Sequence, residues 1–149
     1  MRSIEQGVDI PASPATVWEV LTETDRYGEW NPFITELSGR PVVGERLTVT
    51  IRPGERSMTL RPTVLAVDEG SLLRWRGRLG VPGLLDGDHE MRLTATADGG
   101  TRFVQREVFT GLLVPLLRGV LDDTGPGFVR MNAALRDRAV SRAAGSVQR

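Results

Sequence analysis

A chain of 149 residues with 40% hydrophobic and 26% charged residues is long enough for one domain with a single substantial core, and its composition is ordinary for a globular protein. Its 19 cations, all arginine, balance 19 carboxylates, so no net field draws it to nucleic acid or an anionic membrane, and without lysine no lysine Schiff base can form. With no cysteine, disulfides, thiolate nucleophiles and cysteine metal sites are excluded, and the single histidine, His89, rules out a multi-histidine metal centre.

Ser3 to Ile10 reads as extended, with Ile4, Val8 and Ile10 apolar, and stops at Pro11. Ser13 before Pro14 is an N-cap followed by a proline at the first helical position, where a missing N–H costs nothing. Val17, Val20 and Leu21 share one face of that helix. A second short helical piece over about Asp25 to Glu29 leads into "GEWNPFI", where Asn31-Pro32 turns the chain out of helix between Trp30 and Phe33.

From Ile34 to Phe109 the pattern changes to period two. Ile34–Ser38 is followed by five extended runs: "ERLTVTI", "SMTLRPTVLAV", "SLLRWRGRL", "HEMRLTATA" and "TRFVQREVF". The turn signals between them are Arg52-Pro53-Gly54, Asp68-Glu69-Gly70, Val81-Pro82-Gly83 and Asp98-Gly99-Gly100, and runs joined this tightly are expected to pair antiparallel. Leu47, Val49 and Ile51 oppose Thr48, Thr50 and Arg52; Leu73, Trp75 and Leu79 oppose Arg74, Arg76 and Arg78. The sheet is therefore expected to be dry on one face and wet and arginine-rich on the other. By the same reading the arginines at 74, 76 and 78 serve solvation, and Asp86, Asp88 and Glu90 mark a solvated turn rather than a calcium loop.

After Gly111 the spacing is helical again. "LLVPLLRGVL" is apolar and bent by Pro115, and "DDTGPG" interrupts it at a candidate gate over residues 111–127. A last helix runs from about Pro126 to Arg142 with Phe128, Met131, Leu135 and Ala139 in one stripe. The tail "AAGSVQR" is expected to fray. A one-sided sheet must bury its dry face, and the long final helix is the element left to cover it.

Polar residues whose parity puts them inside are the informative ones. Gln105 and Glu107 share parity with Phe103 and Phe109, and His89 shares parity with Met91. Two hairpin registers keep the dry faces aligned: one sets His89 opposite Glu107, the other sets Met91 there and His89 diagonal. Either brings an imidazole and a carboxylate together on an apolar wall, as the polar anchor of a pocket or as a buried hydrogen bond without chemistry.

The words "VDIPASPATVWEVLTETDRYGEWNPFI", "LRWRGRL", "HEMRL", "GGTRFVQREVFTGLL" and "GFVRMNAALRDRA", in that order, resemble the START-like or helix-grip superfamily (SRPBCC). Within it they are most similar to the polyketide cyclase/dehydrase and lipid-transport branch, over essentially Ile4 to Ala143. The resemblance implies an α+β helix-grip fold in one domain over residues 1–149: a seven-stranded curved antiparallel sheet wrapped around the C-terminal helix, with two short helices between strands 1 and 2. It also implies a hydrophobic pocket between sheet and helix. Phe33, Met58, Leu60, Trp75, His89, Met91, Phe103, Gln105, Glu107, Phe109, Phe128, Met131 and Leu135 are the candidates to line it, with His89 and Glu107 the only candidates for catalysis.

One scaffold of this kind serves several functions. A carrier or sensor of a lipid- or polyketide-like molecule comes first. A cyclase, aromatase or dehydrase using the same pocket is the alternative, weakened by the scarcity of acid-base groups, and a chaperone-activator-like interaction domain comes third. The expected partner is a hydrophobic small molecule, with no cofactor, metal or nucleic acid and with a homodimer through an edge strand unsurprising. No apolar run approaches the roughly 20 residues that span a bilayer, and "MRSIEQGVDI" lacks the apolar core of a signal peptide, so a cytoplasmic location is expected.

Overall fold

In the computed structural model, which describes the backbone of residues 1–147, the chain opens with β1 (Arg2–Ile10). Helix α1 (Pro14–Thr22) follows, with the Ser13 hydroxyl accepting from the Thr16 backbone N–H at 3.3 Å. A 3₁₀ segment (Thr24–Glu29) then buries Tyr27, whose hydroxyl donates to the Leu21 carbonyl at 2.5 Å. The two expected short helices are both present.

The "GEWNPFI" corner is an Asx turn. The Asn31 side-chain oxygen accepts from the backbone N–H groups of Phe33 (2.9 Å) and Ile34 (2.8 Å), replacing the ladder that Pro32 cannot join. Trp30 stands edge-on to Tyr27, and Phe33 stands edge-on to Phe128 with ring centroids 5.4 Å apart. Phe33 therefore turns inward onto the final helix, while Trp30 packs at the core's margin.

The strands that follow are β2 (Ile34–Ser38), β3 (Thr48–Ile51), β4 (Met58–Leu60), β5 (Thr63–Asp68), β6 (Leu72–Leu79), β7 (Leu85–Ala95) and β8 (Thr101–Thr110). They form a five-stranded antiparallel sheet in the order β1-β8-β7-β6-β5 and a three-stranded one in the order β2-β3-β4. This corrects the expected single seven-stranded sheet. The run "SMTLRPTVLAV" divides at Arg61-Pro62, because proline cannot donate to a ladder, and its halves join different sheets. Residues 44–47 stitch the two together: Leu47 donates to the Pro62 carbonyl (2.8 Å) and Val64 to the Glu45 carbonyl (2.9 Å).

β7 also begins earlier than its "HEMRL" core suggests. Asp86 and Asp88 lie within the strand, opposite Arg78 and Arg76 on β6, so the expected solvated turn is instead part of a ladder. Asp88 accepts from Nε and Nη2 of Arg74, each at 2.7 Å, and from Nη2 of Arg76 at 2.9 Å. The arginines of the wet face are thus ion-paired across strands as well as solvated.

Beyond β8, Gly111 holds a φ of 122° that only glycine adopts readily, and Leu112 and Leu113 donate to the Gly83 and Leu84 carbonyls of the β6–β7 turn. A 3₁₀ segment (Val114–Leu117) and α2 (Arg118–Asp122) follow, then α3 (Thr124–Val147). The expected break at "DDTGPG" shrinks to Asp123, because Pro126 sits in the first turn of α3, where no intrahelical partner for its nitrogen is needed. Of the tail expected to fray, α3 includes the part through Val147, and Gln148 and Arg149 lie outside the described residues.

Phe128, Met131, Leu135 and Ala139 of α3 are completely buried against the sheet, together with Leu73, Met91 and Phe103. Each large side chain so enclosed contributes about 1.5–3 kcal/mol of hydrophobic stabilisation. Among the described residues no helix is long and apolar enough to cross a membrane.

Candidate ligand pocket

One end of the interior is not filled. A cavity of about 180 Å³ lies between the two sheets and the α2 segment, near the start of α3. Ile34, Val49, Ile51, Met58 and Leu60 wall it from β2–β4; Trp75, Gly77 and Leu79 from β6; Leu85, Gly87 and His89 from β7; Glu107 and Phe109 from β8. Leu117, Val120 and Leu121 cover it, and Thr124 and Phe33 close the helix side. The lining is almost wholly apolar.

Of the thirteen expected lining residues, Phe33, Met58, Leu60, Trp75, His89, Glu107 and Phe109 reach this cavity. Met91, Phe103, Gln105, Phe128, Met131 and Leu135 do not; they are buried in the core away from its lining. Residues that parity alone does not single out include Gly77 and Gly87, paired directly across β6 and β7. A glycine inside a strand signals a close approach of something to the backbone, and that signal was present. At Gly87 the visitor is Glu107: a β-carbon there would lie 2.7 Å from its Oε1.

Of the two hairpin registers, the structure adopts the one that sets His89 opposite Glu107. His89 is 4% exposed and lies in mid-strand, held edge-on by Trp75 and stacked on Phe128. Its Nε2 is 2.9 Å from Gln105 Oε1, and the Gln105 amide donates to Asn132 Oδ1 on α3 at 2.7 Å. With the amide nitrogen engaged there, Gln105 presents only an acceptor to the ring, which places the proton on Nε2, and among the described residues no hydrogen bond reaches Nδ1. Asn132 shares the stripe of Phe128 and Leu135 at helical spacing, so its inward position was readable in the periodicity.

Glu107 differs from His89 in having no partner. Among the described residues no hydrogen bond or ion pair reaches its carboxyl, and the residue is half-buried and lines the cavity. Burial, reinforced by the Asp88 charge on the opposite face, pushes its pKa up to about 8. Burial pushes His89 down to about 4, against the opposing pull of Gln105 and Asp88. At neutral pH the pocket thus carries a carboxylic acid and a neutral imidazole side by side. Among the described residues no group of three His, Cys, Asp or Glu could hold a metal ion.

A family model described as polyketide cyclase / dehydrase and lipid transport matches residues 1–144. Among curated proteins none matches the chain. Solved structures share the fold at low identity. An aromatase/cyclase, Zhui from Streptomyces sp. R1128, superposes with a TM-score of 0.79 at 18% identity over 95% of each chain. A protein from Mesorhizobium loti gives 0.74 at 22% over 95% of this chain and 98% of its own. A norcoclaurine synthase point mutant from Thalictrum flavum, in complex with a transition-state analogue, gives 0.74 at 18% over 95% and 96%.

Proposed function

The chain belongs to the polyketide cyclase/dehydrase and lipid-transport family, and from that premise we propose that it takes up a hydrophobic small molecule in the cavity beneath α2, as a carrier or sensor. We read residues 1–149 as one such domain, acting in the cytoplasm. The observation that carries the reading is the cavity itself: about 180 Å³ of apolar-walled space beside a core of fully buried side chains. Native cores hold few voids larger than a water molecule, because each empty volume forfeits dispersion contacts and destabilises the fold. Space kept at that cost, with a lone carboxyl facing into it, suits a guest.

The test is a titration of the protein with an apolar fluorescent dye alongside thermal melting. A guest that binds only the native state raises the melting temperature in proportion to its occupancy. Stoichiometric uptake with such a rise is expected, and a dye that neither binds nor shifts the transition counts against the reading.

A second reading, a cyclase- or dehydrase-type enzyme, is favoured by one specific relationship, the facing of Glu107 and His89 across β7 and β8. A protonated carboxyl can donate to a developing oxyanion while a free imidazole nitrogen takes a proton from carbon. The Zhui protein is an aromatase/cyclase by name, and this chain shares its fold. Turnover of polyketide thioesters that vanishes in both His89→Ala and Glu107→Gln would favour the enzyme; no turnover in any form would leave the carrier.

A further inference from the structure

The unpartnered carboxyl of Glu107 narrows what the guest can be. It sits directly opposite His89 on β7 and Ile4 on β1, with its Oε1 over the bare backbone of Gly87. A half-buried polar group without a protein partner is left to whatever enters the cavity, water or a guest, for its hydrogen bond.

The charges around Glu107 decide which kind. On β7, His89 has its Nε2–H committed to Gln105 and carries no charge at neutral pH. Asp88, on the far face of the same strand, is an anion already occupied by Arg74 and Arg76. From β6, Arg78 reaches the cavity margin but its guanidinium lies 3.4 Å from Asp86. From β1 and the α2–α3 region come Ile4, Leu121 and Thr124, none of which titrates. Among the described residues no cation faces Glu107, so it acts as an acid O–H, a donor in search of an acceptor. Space sets the rest: engineered apolar cavities of about 150 Å³ take up benzene, so a void of this size suits one ring or a short branched chain.

We propose that the guest is a compact, uncharged carbonyl compound whose oxygen accepts the hydrogen of the Glu107 carboxyl, and that the same group excludes carboxylate guests. This rests on the carrier reading and sharpens it from hydrophobic in general to a ketone, aldehyde or ester of about one ring.

Calorimetric titration of the whole protein with four matched probes tests it: acetophenone, ethylbenzene, benzoate and 1-phenylethylamine. At about pH 6, acetophenone is expected to bind roughly tenfold more tightly than ethylbenzene, one net hydrogen bond in size, with benzoate weakest. Glu107→Gln, whose amide N–H still donates, keeps the preference, and Glu107→Met loses it. At about pH 9.5, where the wild-type carboxyl has ionised, wild type loses the preference and Glu107→Gln retains it. That comparison holds even if Glu107→Met fails to fold. Equal affinity for ketone and hydrocarbon overturns the proposal while leaving the cavity intact. Tightest binding of the amine overturns it too, by making Glu107 a carboxylate. If no probe binds, ethylbenzene included, the cavity reading itself falls and this inference with it.

Discussion

The ring of Phe33 occupies the space that a side chain at position 127 would need: a β-carbon on Gly127 would lie 2.5 Å from Cδ2 and 2.7 Å from Cε2 of that ring. Phe33 cannot easily retreat, because it stands against Phe128 and its backbone N–H is tied to Asn31. Gly127→Ala should therefore destabilise by about 1–2 kcal/mol in urea denaturation, the overpacking penalty exceeding the gain in helix propensity. Gly145, in the same helix with nothing within 4 Å, should respond oppositely, gaining a few tenths of a kcal/mol on mutation to Ala. Equal signs at the two sites would mean the ring is not fixed there.

Much of this arrangement was readable in the residue order, and what was not has physical reasons. Period two is rigid, so the parity of Phe103, Gln105, Glu107 and Phe109 sent all four inward, and a tight Asp98-Gly99-Gly100 turn left two registers for His89. The stripe of α3 followed from helical spacing in the same way. Parity fixes a face, though, and not whether neighbouring side chains meet across the gap. That is why Met131 and Leu135 proved to be packing and Leu117 and Leu121 pocket cover. Pro62 ended one strand and began another, a break that an apolar alternation running through it concealed.

Glu107 should weaken the fold as the solution becomes basic. Its folded pKa, about 8, lies above the ordinary carboxyl value, so the unfolded chain ionises first. Stability from this group is complete below about pH 4.5, falls as pH rises through the interval, and stays low above the folded value. The loss at pH 7 is on the order of 3 kcal/mol. Glu107→Gln removes it, so the variant should be more stable than wild type near pH 8 and nearly equal near pH 4, as read by chemical denaturation at both. A difference independent of pH would contradict a protonated carboxyl.

His89 acts at the other end of the scale. Its folded pKa of about 4 lies below the ordinary 6.5, so the unfolded chain takes up the proton first on acidification. Stability from the neutral ring is present above about pH 6.5 and is lost as pH falls toward 4, with a ceiling of about 3 kcal/mol. Carboxylates contribute to acid unfolding as well, so the quantity to compare is the slope of stability against pH in wild type and His89→Gln. The variant should be less stable at pH 7, having lost ring packing on Trp75 and Phe128, yet shallower between about pH 4 and 6.5. Parallel slopes would show that the ring protonates freely in the folded state.

The ladder on the outer face supports β6 and β7 from behind the pocket. Arg74 and Arg76 hold the Asp88 carboxyl below the usual carboxylate range, through hydrogen bonds first and charge second. The three side chains keep appreciable contact with solvent, which limits what their pairing contributes. Asp88→Asn should cost about 1 kcal/mol at low ionic strength and less in about 1 M salt, which screens such pairs. Removing this anion also lowers the Glu107 pKa, so the basic limb of the stability profile, which starts at the unfolded carboxyl value in both proteins, should end at lower pH and fall less far in the variant. An unmoved limb would mean that burial alone sets the Glu107 value.

Gly77 offers the sharpest test of whether the cavity is used. It faces the void across from Gly87, and a β-carbon there would meet nothing nearer than Pro62 Cβ at 3.9 Å. A larger side chain at this position can grow into empty space without displacing the sheet, in contrast to Gly87, where the Glu107 carboxyl blocks the way. Gly77→Leu should therefore fold with stability equal to or above wild type, since it fills a void and removes a flexible residue from a strand. The same change should abolish uptake of an apolar dye and the accompanying rise in melting temperature. If Gly77→Leu binds the dye as wild type does, the binding happens elsewhere on the molecule and this cavity is not the site.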